Sequence, residues 1–252
     1  MITFYSTDQF FAGNPLVLGA DAAQHLRVLR AGVGQAVSLR DGKGGTGDGV
    51  VTRVSKSSLT VDVTSVGSVD ADSPVHLLVP VADRDRMLLL AEKCTELCAS
   101  SWRPVMWRRS RSVGPLGDGP AFQARLHARM VAALTQSGGA WLPEVHPSAP
   151  VGRAVAAAPQ GTRLLLDAAA SRPLASVKIE GQVVIAIGPE GGFDQAERLV
   201  MMEAGFTPVR VTGSVLRFET AAIAALAVVR SSTLTCAVAP VSANSPEMSD
   251  GS

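Results

Sequence analysis

Two stretches concentrate residue types from which a ligand pocket at strand ends could be built. Val183-Val184-Ile185-Ala186-Ile187-Gly188-Pro189-Glu190-Gly191-Gly192-Phe193-Asp194 reads as a buried strand, a glycine loop and a helix start. Glycines in such a loop permit unusual dihedrals and let backbone approach a ligand. In open α/β sheets, ligands sit outside the carboxyl ends of the strands. Val211-Thr212-Gly213-Ser214-Val215-Leu216-Arg217-Phe218-Glu219-Thr220 repeats the arrangement at the next strand. Neither Gly-x-Gly-x-x-Gly nor Gly-Lys-Ser/Thr occurs in these loops, so a dinucleotide fold and a P-loop are not indicated. An ordinary strand-to-helix turn is the plainer alternative for the first loop. Arg217 and Glu219 flank the start of an apolar helix, where a lone buried charge is costly. They are expected either to pair with each other or to contact a ligand.

The elements that must position these loops follow from periodicity. Residues 1–72 read as a small β unit, with Ala36 to Arg40, Val50 to Val54 and Leu59 to Val63 alternating apolar and polar. Asp41-Gly42-Lys43-Gly44-Gly45 and Lys56-Ser57-Ser58 supply turns between them. A short helix from Asp21 to Arg30 precedes these strands, with Leu26 and Leu29 expected on its inner face. After Asp70-Ala71-Asp72-Ser73-Pro74, apolar runs alternate with helical periods, the signature of a parallel sheet covered on both faces. The runs are Val75 to Val81, Pro104 to Trp107, Arg163 to Asp167, Val183 to Ile187 and Pro208 to Val211. Helical spacing recurs around Met87 to Leu97 and Phe122 to Leu134, and a third helix runs from an Asp194 N-cap to Gly205. The last helix, Thr220 to about Leu234, is apolar nearly all round, which fits either a central helix or a dimer interface.

Composition narrows the function classes. With 252 residues, 46% of them hydrophobic, the chain can bury a sizeable core. A net charge of +1 argues against a strongly basic nucleic-acid binder but leaves room for a local patch. Arg103, Arg108, Arg109 and Arg111 form one, with Trp102 and Trp107 among them. The cysteines Cys94, Cys98 and Cys236 suggest neither a disulfide framework nor a zinc site, and are expected to be buried or half-buried free thiols. No leader-like or membrane-spanning run stands out, so a cytoplasmic location with no membrane and no metal is expected. From Ala239 onward Pro, Ser, Asn and Asp predominate, and a disordered tail over 237–252 is expected.

His25-Leu26-Arg27-Val28-Leu29-Arg30, Glu92-Lys93-Cys94-Thr95-Glu96-Leu97, the Gly188-Pro189-Glu190-Gly191-Gly192 loop and Leu216-Arg217-x-Glu219-Thr220-Ala221 stand in one order and spacing. In these motifs, across most of residues 1–236, the chain resembles the small-subunit ribosomal RNA uridine-N3 methyltransferases of the SPOUT superfamily. The resemblance implies an α/β protein: a PUA-like, RNA-binding β-barrel over 1–72, then a parallel-sheet SPOUT methyltransferase domain over 73–236 with a deep C-terminal trefoil knot. It further implies S-adenosyl-L-methionine (SAM) as cofactor, held by Leu166, Ile187, Gly188, Pro189, Gly191, Gly192, Val211, Gly213, Val215 and Leu216. The final helix would pack in a homodimer, and the substrate would be a uridine of 16S ribosomal RNA, within the small ribosomal subunit.

On that reading Arg217 would stabilise the uracil anion or orient its phosphate, and Glu219 or Glu190 would accept or position. Contacts to RNA phosphates would fall to His25, Arg27, Arg30 and Arg40, to Arg84 and Arg86, and to Arg108 and Arg109. The family usually carries an arginine shortly before the Leu-Arg pair, where Ser214 stands here. It also often carries Glu-Gln and basic residues where this chain reads Thr135-Gln136-Ser137-Gly138-Gly139-Ala140-Trp141. Three alternatives remain open: a non-catalytic RNA-binding or ribosome-assembly protein of the same fold, a SPOUT methyltransferase of another RNA position, and an α/β enzyme binding a nucleotide phosphate at the Gly188 loop.

Overall fold

A computed structural model of the chain describes residues 1–110 and 119–233. Arg111, Cys236 and the tail expected over 237–252 lie outside the described residues.

The first unit is built from β1 (Ile2–Tyr5), β2 (Pro15–Leu18), α1 (Ala20–Val28), β3 (Ala36–Arg40), β4 (Gly45–Val54) and β5 (Leu59–Ser68). Its sheet runs β1-β3-β4-β5-β2, and the edge strands β1 and β2 are not hydrogen-bonded to each other. Register shifts between β4 and β5 at Asp48/Gly49 and Val51/Arg53 raise the local twist and help the sheet curl. Val37, Leu39, Val51, Leu59 and Val61 point inward with Leu26 of α1. Leu29, expected beside Leu26, is instead the C-cap of α1 and exposed, because the helix ends at Val28.

The second unit comprises β6 (Val75–Pro80), α2 (Arg84–Glu96), β7 (Ser101–Met106), α3 (Pro120–Ser137), β8 (Glu144–Val145), β9 (Ala149–Pro150), α4 (Val151–Ala156), β10 (Thr162–Leu166), β11 (Val183–Ile187), α5 (Gln195–Glu203), β12 (Thr207–Val209) and α6 (Phe218–Thr233). Its sheet runs β12-β10-β11-β6-β7-β8, with β9 also on β7, and its pairings are parallel. β11 sits in the middle, and all five of its residues are buried. That is why an unbroken apolar run signalled it so plainly. Alternate residues of the sheet feed two cores: Leu77, Ile185 and Ile187 face α2 and α6, whereas Leu78, Val184 and Ala186 face α4 and α5.

Trp102 and Trp107, expected among the basic patch, are both buried and belong to these two cores. They are not available to stack on bases. The second and fifth expected strand runs are shifted by one to three residues, since β7 begins at Ser101 and β12 ends at Val209.

The two units are joined by backbone. Gly44 donates to the Ala140 carbonyl at 2.9 Å, Leu142 to Gly42 at 2.9 Å, and the Trp141 indole to the Val69 carbonyl at 2.9 Å. A Cβ on Gly44 would fall 2.5 Å from the Trp141 ring, and its φ is +94°, so glycine is required there. α6 is fastened by Arg230, which donates to the Ser73 carbonyl at 2.5 Å, to Leu97 at 3.3 Å and to Cys98. Burial pushes the Arg230 pKa down from its usual value, and the three carbonyls compensate part of the lost hydration.

Candidate functional site

The carboxyl ends of β10, β11 and β12 converge on a cavity of about 360 Å³. Its walls come from Leu166 to Ala168, Ile187 to Phe193 and Val211 to Leu216, with Arg198, Phe218 and Ala221 closing the rest. Ligand cavities run from roughly 300 Å³ upward, so this one has the size of a cofactor site. Nine of the ten residues expected to hold the cofactor line it: Leu166, Ile187, Gly188, Pro189, Gly191, Gly192, Val211, Val215 and Leu216. The tenth, Gly213, lies between the lining residues Thr212 and Ser214. Asp167, Ala168, Phe193, Arg198 and Ala221 were not anticipated. Asp167 ends the apolar run of β10, and a carboxylate at a strand's end was the available signal.

Two local devices shape the glycine loop. Gly192 has φ +68°, and space around its would-be Cβ is open, so the backbone itself forms the surface there. Asp194 caps α5 in a capping box: Glu197 N donates to Asp194 Oδ1 at 2.8 Å, and Asp194 N donates to Glu197 Oε2 at 2.9 Å. The amide of Glu197 holds the Asp194 carboxyl below the usual carboxylate range.

The segment after β7 buttresses the loop from the other side. Arg108 N donates to Glu197 Oε1 at 2.6 Å, and its guanidinium lies 3.2 Å from Asp194 Oδ2. Arg109 Nη1 donates to the Gly191 carbonyl at 2.8 Å. Phe193 packs edge-on against Trp107, with ring centroids 4.8 Å apart.

Polar groups gather where α2, the glycine loop and α6 meet. Arg86 of α2 forms an ion pair with Glu190 and stands 3.8 Å from Glu219 Oε1. The carboxylate of Glu190 raises the pKa of Arg86. Glu219 is 5% exposed, and its Oε2 has no hydrogen-bond partner among the described residues. It sits in the first turn of α6, where the helix dipole favours a carboxylate. The expected alternative of an Arg217–Glu219 pair is not what forms. The Arg217 side chain is exposed and makes no hydrogen bond or ion pair among the described residues, while its carbonyl accepts from Ala221 N at 2.8 Å.

Asp167 Oδ1 accepts from Ala169 N at 2.9 Å. Its buried Oδ2 faces the Arg198 guanidinium without an aligned hydrogen bond, which leaves acceptor capacity at the cavity wall.

The expected RNA contacts fall into two groups. His25, Arg27 and Arg30 are exposed in or just beyond α1, and Arg27 donates to the Lys56 carbonyl at 3.3 Å. Arg40 is half-buried and bonds the Leu39 carbonyl at 2.8 Å. Arg84 lies 5.6 Å from the Phe122 ring. Arg86, Arg108 and Arg109 are drawn into the glycine loop, as described above. Among the described residues, no group of three or more His, Cys, Asp or Glu could hold a metal ion, and no helix is long and apolar enough to cross a membrane.

Comparison with known proteins places this geometry. A family model described as an RNA methyltransferase domain matches residues 70–230, and one described as an RNA methyltransferase PUA domain matches residues 18–64. The chain is 27% identical over 208 residues to the ribosomal RNA small subunit methyltransferase E of a Synechocystis species, covering 80% of this chain and 67% of that one. It is 34% identical over 125 residues to the protein of the same name in Treponema pallidum, covering 45% of this chain and 46% of that one. Among solved structures, a ribosomal RNA small subunit methyltransferase E from Neisseria gonorrhoeae, bound to S-adenosyl methionine, superposes with a TM-score of 0.83. Its identity to this chain is 27%, with 92% of this chain and 97% of that chain covered.

Proposed function

The chain belongs to the RNA methyltransferase family, whose domain model spans residues 70–230, and from this we propose that it methylates N3 of a uridine in 16S ribosomal RNA with SAM as donor. The observation that carries the reading is the 360 Å³ cavity formed by three strand-end segments. Leu166, Ile187, Val211, Val215 and Leu216 offer apolar faces for a flat base. The loop backbone at Gly192 and the free acceptor capacity of Asp167 suit the polar and cationic parts of the cofactor. The residues present therefore fit the group. SAM bound there supplies an electrophilic methyl carbon.

The protein's own task is the proton and the placement. N3 of uracil is protonated at neutral pH, so its lone pair must be freed by an acceptor or by stabilisation of the anion. Glu190 is the acceptor in this account, because its side chain is 43% exposed and can pass a proton to solvent. Glu219, buried behind it, holds Arg86 in place. Arg217, exposed and unpaired among the described residues, stabilises negative charge on the uracil or its phosphate.

N3 lies on the pairing edge of the base, so the target nucleotide must be unpaired or turned out of its helix. His25, Arg27, Arg30 and Arg40 of the first unit and Arg84 of α2 supply phosphate contacts in this reading. Arg108 and Arg109, engaged with the glycine loop, present their remaining donors at its edge. The division at 72/73, a threaded C-terminal knot, action in the cytoplasm on the small ribosomal subunit, and a homodimer through α6 belong to the same proposal. Partly exposed apolar residues on α6, among them Ile223 and Ala227, support the last point. The test is mass spectrometry of 16S ribosomal RNA from a strain lacking the gene. One 3-methyluridine should be missing and should return when purified protein and SAM are added to its small subunits. An unchanged methylation map would overturn the reading.

A further inference from the structure

The glycine loop after β11 separates two cavities. The larger lies over β10 and β12, whereas a second, of about 190 Å³, lies over the end of β6 and the start of α2. Both share Pro189, Glu190, Gly191 and Phe218. This arrangement follows from the strand order, in which β11 stands between β10 and β6. A donor and an acceptor must be held a few ångströms apart to react. Two chambers meeting at one loop provide for that.

The second cavity has its own chemistry. Val81, Ala82 and Phe218 make apolar walls, and the charged lining residues are Asp83, Arg86, Arg109 and Glu190. Asp83 caps α2, its Oδ1 accepting from the amides of Asp85 at 3.0 Å and Arg86 at 3.4 Å, so recognition falls to Arg86, Glu190 and Arg109. A guanidinium only donates and a carboxylate only accepts, so these side chains offer donor, acceptor and donor. The pairing edge of uracil offers the complement: O2 accepts, N3–H donates and O4 accepts. Cytosine instead has an acceptor at N3, which would face the Glu190 carboxylate and be repelled.

We propose that the second cavity receives the target uracil, and that Arg86, Glu190 and Arg109 together read its pairing edge and select it over cytosine. The proposal rests on the methyltransferase reading above. Glu219 remains beside Arg86 when Glu190 turns from the guanidinium to the base, so the Arg86 charge stays in place. The N3 proton passes to a Glu190 oxygen and on to solvent. The electron pair left on N3 forms the bond to the methyl carbon, and the pair of the breaking C–S bond stays on sulfur.

The experiment uses the full chain saturated with S-adenosylhomocysteine, and fluorescence anisotropy with labelled hexamers of uridine and of cytidine. The wild type should favour oligouridine at least fivefold. Arg86→Met, which keeps length and removes the donors, and Ala82→Phe, which fills the chamber, should each reduce that preference below twofold. Calorimetry should find S-adenosylhomocysteine affinity within threefold of wild type in both variants, which also reports that they fold. No preference in the wild type, or a preference kept by both variants, would overturn the proposal. Absence of S-adenosylhomocysteine binding to the wild type would instead remove the methyltransferase reading on which it rests.

Discussion

Arg109 Nη1 donates to the Gly191 carbonyl at 2.8 Å, tying the segment after β7 to the loop that lies between the two cavities. The bond is charge-assisted and fixes one peptide of that loop. Arg109→Met should therefore weaken SAM binding about tenfold while leaving the fold intact. Calorimetry and circular dichroism together read this out, and unchanged affinity would show that the loop holds its shape without the arginine.

Gly188 and Phe193 are matched in a second way. A Cβ at Gly188 would meet the Phe193 ring at 3.0 Å, and that ring is braced edge-on by Trp107. Gly188→Ala should cost about 1–3 kcal/mol by overpacking. Urea unfolding is the measurement, and combining it with Phe193→Leu should recover part of the loss.

The Asp194 cap gives the protein an acid-sensitive helix start. The amide of Glu197 depresses the Asp194 pKa in the folded state. A depressed carboxylate contributes stability above its unfolded value of about 4 and loses it as pH falls through the folded value. The thermal midpoint of the wild type should thus fall relative to Asp194→Asn between about pH 4 and pH 2, with the two curves parallel above pH 5. Parallel curves throughout would show that the cap does not titrate with folding.

Ile185 is fully buried in the middle of β11, facing the core formed with α2 and α6. Ile185→Ala should destabilise by about 2–5 kcal/mol through lost burial and a residual cavity. Denaturant titration checks it, and the same loss should appear whether or not SAM is present at low concentration.

How much of this was legible beforehand differs from residue to residue. β11 and the α5 cap were plain in the sequence because a five-residue apolar run and an Asp three residues before Glu are local signals. The glycine loop likewise declared itself. Leu29 differs from its expected place because α1 stops two residues short of Arg30, which moves the Leu29 side chain from the core to solvent. The tryptophans between the arginines resemble a nucleic-acid platform, but Trp102 turns into the core from β7 and Trp107 packs into the other core at its end, while Arg108 and Arg109 are exposed in the turn that follows. The role of Arg86 was hidden for a different reason. Its partners Glu190 and Glu219 lie 104 and 133 residues away in the chain, and only the parallel sheet brings α2 to the glycine loop. No periodicity carries such pairings.

The most direct test of the central claim is calorimetric titration of the full chain with SAM, beside Ala168→Trp, whose side chain would occupy the large cavity from its exposed rim. Close to one SAM per chain is expected for the wild type, and a loss of at least a hundredfold in affinity for the variant. A folded wild-type protein that shows no heat at millimolar SAM, or a variant that binds as tightly as the wild type, would contradict that claim.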